Sequence, residues 1–233
     1  MGYSAPRFAF LLVFMGFALY IAFSIGPGYQ GLGASNGDGS LMAKASGKID
    51  QGALKKLTSH VKAQPSGASC THEALQPLTK MMTLQSVNWT VLDQQIDGLS
   101  GEEKFNVAAS TAVTATPENT LANAAVMYVM LSAARDGSAL AMNELGMSLL
   151  TCQYGVGQDL SEARSWFKKA VEAGDDYAML NLGRMYLRGE AGSGSEQKNT
   201  KQGLLLIERC AKAGNDNCVE LMNIYENAKT VAE

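Results

Sequence analysis

One phrase runs twice through residues 138–214 and begins a third time, and this repetition restricts the chain to few folds. Ala141-Met-Asn-Glu-Leu145-Gly146 returns as Ala178-Met-Leu-Asn-Leu182-Gly183, and Ala170-Val-Glu-Ala-Gly174 returns as Cys210-Ala-Lys-Ala-Gly214. Cys218-Val-Glu-Leu-Met222 opens the third copy. The interval is 37 residues from Ala141 to Ala178 and 40 from Ala178 to Cys218, and Gly137, Gly174 and Gly214 keep the same two intervals. A fixed period of this size is that of stacked helical hairpins. The three additional residues of the second unit fall in Gly189 to Asn199, where they are expected to lengthen a loop.

Each unit can be built from its residues. In the first, Leu140, Leu145, Met147 and Leu149 give helix A an apolar face, and Gly146 leaves room for a neighbour. Asp159 with Glu162 forms a reciprocal capping pattern that opens helix B, whose Ala163, Trp166, Phe167, Ala170 and Val171 follow the spacing of a buried helical stripe. Gly174 suits the left-handed residue that ends a helix. The second unit repeats the scheme with Leu182, Gly183, Met185 and Tyr186, a cap of Asn199 with Gln202, then Leu204, Leu205, Ile207, Ala211 and Gly214.

The order A-x-x-x-L-G, a Gly-rich loop, D-x-x-x-A-x-x-W-F-x-x-A and a closing Gly resembles the Sel-one-like repeat, an α-solenoid family related to the tetratricopeptide repeats. The resemblance covers about 90 residues, roughly Gly137 to Glu226. It departs at Leu149, where the family favours Tyr, at Gly203, where it favours Ala, and at Asn223, where it favours Gly. It implies an all-α fold, an α-solenoid of stacked helical hairpins, which in this chain would be preceded by an N-terminal transmembrane helix. The organisation expected is an anchor at 1–25, a Gly-rich tether at 26–46, an irregular helical region at 47–100 and a degenerate capping repeat at 101–137. Repeat one then spans 138–174, repeat two 175–214, and a partial repeat or cap 215–233.

Cys210 ends one unit and Cys218 begins the next, a spacing like that of the cysteine-rich bacterial branch of the family, in which such a pair is a disulfide. Two buried thiols at small-residue positions are the alternative. Cys70 and Cys152 complete an even count, and their pairing is left open by the sequence. Disulfides require an oxidising compartment, and the N-terminus offers a route to one. Phe8 to Ile25 is an uncharged run of 18 residues following Arg7, nearly long enough to cross a hydrocarbon core. It is expected to be an uncleaved inner-membrane anchor with its amino end cytoplasmic and the bulk periplasmic; a cleavable signal ending near Ala22-Phe23-Ser24 is the alternative. The tether's GLGASNG lacks the spacing of a phosphate-binding loop.

Between Gly47 and Thr116, Ile49, Leu54, Leu57 and Val61 make one helix, Thr71 caps a second through Leu75, Leu78, Met81 and Met82, and Val87 to Ile96 gives a third. Ser100 with Glu103 caps a fourth, and Thr116-Pro117-Glu118 starts a long helix ending at Gly137.

Candidate chemistry is sparse. Cys70-Thr-His72 offers two ligands, too few for a zinc centre. Ser165-x-x-Lys168 fits the nucleophile pattern of penicillin-recognising enzymes, but the companion motifs do not follow. Asn88-Trp-Thr90 is a glycosylation sequon in a eukaryotic host alone. A formal charge of -3 leaves no basic excess for nucleic acid. No cofactor, metal or catalytic residue is expected. The function expected is a membrane-anchored adaptor that holds another protein, an envelope or membrane-complex component, on the concave A-helix side. Its contacts would be Glu144, Met147, Thr151, Asn181, Arg184 and Arg188. An envelope hydrolase or cell-wall ligand binder using Ser165 and Lys168 is the alternative.

Overall fold

In a computed structural model, residues 49–63, 70, 75–113, 115–116, 119–190 and 194–230 are described. They form α1 (Gln51–Ala63), a single turn α2 (Leu78–Met81), α3 (Trp89–Ile96), α4 (Gly101–Ala112), α5 (Thr120–Arg135), α6 (Ala139–Thr151), α7 (Leu160–Glu172), α8 (Asp176–Arg188), α9 (Glu196–Lys212) and α10 (Asp216–Thr230). A 3-10 turn, Gln153–Gly155, follows α6, and there is no strand among the described residues beyond one isolated bridge, Gln76 to Val156. The fold is an all-α, solenoid-like helical repeat. The hairpins α6–α7 and α8–α9 pack in chain order, with the α4–α5 hairpin before them and α10 after.

The same joint connects each hairpin to the next. Gly137, Gly174 and Gly214 sit at φ +91°, +93° or +95°, a region open to glycine at no steric cost. At the middle joint, the Asp175 amide donates to Ala170 O at 2.9 Å and the Gly174 amide to Val171 O at 3.1 Å. This pair of bonds satisfies carbonyls that the end of α7 would otherwise leave open. Asp175 then caps the next helix, its carboxylate accepting from the Ala178 amide at 2.6 Å. Ser138 and Asn215 do the same for Ala141 and Cys218. One residue thus ends one helix and starts another, which fixes the angle between units.

Within each unit the two helices approach through glycine, by different means. A Cβ on Gly146 would lie 2.7 Å from the fully buried Phe167 ring. In the second unit Gly183 faces Gly203: a Cβ on Gly203 would meet Gly183 O at 2.9 Å and Leu187 Cγ at 2.8 Å. The departure from the family pattern at Gly203 therefore has a packing reason: the Cβ that its equivalent in repeat one, Ala163, carries would at Gly203 strike Gly183 O and Leu187.

Several sequence expectations are corrected. Helix α9 starts at Glu196, capped by Ser195, whose hydroxyl accepts from the Lys198 amide at 3.3 Å. Asn199 is inside the helix and buried, so it caps nothing. The three additional residues accordingly lengthen a helix: α9 has 17 residues against 13 in α7, and the connector before it is one shorter. At α7 half of the reciprocal cap forms, with Asp159 accepting from the Glu162 amide at 2.8 Å. The Asp159 amide bonds Leu149 O, and the Glu162 carboxylate takes the Trp166 indole N–H at 3.4 Å. Trp166 is only partly buried, with Lys169 Nζ 4.0 Å above its ring, whereas Phe167 fills the interior. Helix α2 begins after Pro77, which restricts the residue before it and shortens the expected helix to one turn. Helix α5 starts at Thr120 behind an Asn119 cap, later than Thr116. Ser100 and Glu103 do form the full reciprocal cap.

No helix among the described residues is long and apolar enough to cross a membrane. The run Phe8 to Ile25, the tether and its GLGASNG, Thr71 and His72 lie outside the described residues.

Candidate functional site

The six A-helix positions pair across the repeat: Glu144 with Asn181, Met147 with Arg184 and Thr151 with Arg188, each 37 residues apart. The structure separates them. Thr151 is buried, and its hydroxyl donates to Met147 O at 2.8 Å, so it is not available to a partner. Arg188 is held within the chain: its Nε donates to Val61 O at 3.4 Å and its Nη1 lies 4.0 Å from Glu190 Oε2. Val61 belongs to α1, which packs against α8 and α10 and so takes up the A-helix side of the second and third units. Asp50, just before α1, receives the Tyr225 side chain of α10, the Asp50 amide donating to its hydroxyl at 3.1 Å. Part of the surface expected to hold a partner is thus filled by the chain itself.

Glu144, Met147, Asn181 and Arg184 remain partly exposed. Asn181 Nδ2 donates to Asn143 Oδ1 at 3.0 Å, tying α8 to α6. Burial raises the Glu144 carboxyl above its ordinary value. Burial also raises the Tyr154 hydroxyl, and the Glu144 charge adds to that. Arg184 is held below its ordinary value by burial and by the charge of Arg188, with Glu220 acting the other way. Its Nε is buried without a hydrogen-bond partner. A guanidinium is charged at any physiological pH, so a buried unpaired N–H on it is costly unless an acceptor arrives from outside.

Two disulfides brace this frame. Cys210–Cys218 lies wholly inside, with Cα atoms 5.7 Å apart, across the joint at Gly214. Cys70–Cys152, with Cα atoms 5.6 Å apart, settles the open pairing and ties the front of the chain to the end of α6. Beside it Gln76 bonds both sides of the connector: its amide donates to Gly155 O at 2.9 Å and its carbonyl accepts from the Gly157 amide at 2.8 Å. Cys152 and Tyr154 adopt left-handed backbone angles, φ +59° and +52°, as the chain turns through this braced loop. Disulfide bonding removes Cys70 from any thiol–imidazole or metal role.

Ser165 and Lys168 are exposed on the outer face of α7. No group of three or more His, Cys, Asp or Glu able to hold a metal occurs among the described residues. Sequence reasoning missed the docking of α1, which depends on contacts more than a hundred residues apart in the chain. It also missed the caps Ser138, Asp175 and Asn215, although a Ser, Asp or Asn directly after each closing Gly was a readable signal.

The Sel1 repeat family matches residues 139–175 and 176–215. A solved Sel1 repeat protein from Oxalobacter formigenes is similar over 70% of this chain and 46% of its own length, with 21% identity and a TM-score of 0.46. This chain therefore spans less than half of that protein. No curated protein matches the chain. The matched segments coincide with the hairpins α6–α7 and α8–α9, joint residue included, and this chain carries two Sel1 repeats.

Proposed function

We propose that the protein is a membrane-anchored, non-cytoplasmic adaptor that binds another protein through the A-helix side of its Sel1 repeats. Stacked helical repeats present continuous surfaces suited to extended partners. The observation that carries the reading is Arg184 of α8, a partly buried side chain whose buried Nε has no hydrogen-bond partner among the described residues. A carboxylate or carbonyl of a partner would supply that acceptor. Two disulfides support an oxidising compartment, and the uncharged run Phe8 to Ile25 supports an inner-membrane anchor with the repeats in the periplasm. Thr151, buried, and Arg188, bonded to Val61 O, are not among the contacts.

The test is cross-linking in membranes followed by purification of the full chain and identification of what is attached. Arg184→Glu should lose the attached protein while Lys55→Glu, on the exposed face of α1, retains it. Equal recovery with both variants would overturn the assignment. Binding is favoured over hydrolysis because Ser165 stands on an outer helix face, open to water. Turnover of a chromogenic β-lactam that disappears in Ser165→Ala would reverse that preference.

A further inference from the structure

A second surface lies on the other side of the repeats. Between α7 and α9 runs a groove of about 250 Å³ whose floor is Leu182 and Tyr186, both buried residues of α8. One wall carries Leu205, partly exposed, and the rim carries Lys168, Glu172 and Arg209, all exposed. Leu205 is the equivalent of Ser165, 40 residues earlier, so the second repeat places an apolar side chain where the first has a polar one. Leu205 is not among the residues packed against the core, although its neighbours Leu204 and Leu206 are. Core packing therefore does not account for it.

The charges around the groove are unbalanced. The chain as a whole is at -3, yet α9 bears Lys198, Lys201, Arg209 and Lys212 against Glu196 and Glu208. Both of those carboxylates are already engaged, Glu196 with Lys62 at 3.5 Å and Glu208 with Lys212 at 2.6 Å. Among the described residues neither Lys168 nor Arg209 has an ion pair, which leaves two cations over an apolar floor with Glu172 as the single opposing charge. The volume is below the roughly 300–1,000 Å³ of small-molecule sites and fits one or two side chains of a peptide.

We infer that this groove, on the B-helix side and separate from the A-helix surface, receives a short acidic segment of a partner protein. One bulky apolar side chain of that segment enters between Lys168 and Leu205 to rest on Leu182 and Tyr186, and flanking carboxylates meet Lys168 and Arg209. The apolar insertion supplies affinity, and the cations select against basic segments and speed encounter.

A random peptide library displayed on phage and selected on the full chain tests this. The expected consensus is Asp and Glu around a central Leu, Phe or Trp. The consensus peptide, synthesised and titrated by fluorescence anisotropy, should bind at least about tenfold more weakly to Leu205→Ser, which installs the residue of repeat one, and to Arg209→Glu. Lys168→Glu, at an exposed site on the other helix, should give the same loss should Leu205→Ser disturb α9. Arg184→Glu should bind as the wild type does, which separates failure here from failure of the A-side reading. Absence of any enriched sequence, a neutral or basic consensus, binding unchanged in the groove variants, or binding lost on Arg184→Glu would each overturn the inference.

Discussion

Repeat one and repeat two are built on the same joint and differ in what lies between their helices. In the first, a single large ring, Phe167, fills the space beside Gly146. In the second, Ile207 is smaller and the backbones draw together through Gly183 and Gly203. Helix B of the second unit also starts a turn earlier, because Ser195 offers a cap before Asn199 is reached. The period is therefore held by the Gly-plus-cap joint, while the interior of each hairpin can trade side-chain volume for close helix approach.

The largest effect should come from removing the ring. Phe167→Ala should cost about 3–5 kcal/mol, measured by urea denaturation. Gly146→Ala should be destabilising in the wild type and nearly harmless in the Phe167→Ala background, since the ring is what its Cβ would strike. Additive effects would break the assignment of that contact. In repeat two, Gly203→Ala should cost about 1–3 kcal/mol despite the better helix propensity of Ala, because Gly183 O stands in the way. A neutral or stabilising result would mean that α8 and α9 are further apart than described.

The joints differ in one charge, and pH separates them. Burial pushes the Asp175 carboxyl up to about 6, although the Ala178 amide bonded to it pulls the other way. Its partners in the scheme, Ser138 and Asn215, are neutral. With a folded value above the ordinary carboxylate of about 3.9, the folded state holds the proton more tightly than the unfolded one. The contribution of this group is therefore fully present below about pH 4 and is lost as pH rises to about 6. Asp175→Asn, which keeps the accepting oxygen, should match wild-type stability near pH 3.5 and exceed it by about 1–2 kcal/mol at pH 7.5. An advantage that grows on acidification would contradict the assignment. Smallest should be Trp166→Ala, about 1 kcal/mol, since its partly exposed ring offers mainly a cation–π contact with Lys169 and a long bond to Glu162. A loss as large as that of Phe167→Ala would return Trp166 to the interior.

The hairpin period and the closing glycines were legible in the sequence because each is a local pattern repeated at a fixed interval, whereas the Cys210–Cys218 bridge, whose equivalents one unit earlier are Ala170 and Ala178, was implied by the family resemblance. Asn199 was misread because its equivalent, Asp159, does cap a helix; the earlier Ser195 competes for that role, and nothing in the period records it. Thr151 and Arg188 passed as surface positions because helical spacing gives the face a residue occupies but not what later covers it. Here the cover is α1, brought across the chain to Arg188 and Tyr225. Cys70–Cys152 has the same character: 82 residues separate the two, and parity alone cannot choose partners.

Native-state hydrogen exchange followed by NMR tests the joint and its register most directly. Exchange should be slow at the amides of Ser138, Asp175 and Asn215, which donate to Ala133, Ala170 and Cys210, and at Asn199, which donates to Ser195 within α9. Fast exchange at Asp175 and Asn215 while the helices on either side stay protected would show hairpins that do not lock to one another, and would contradict the joint.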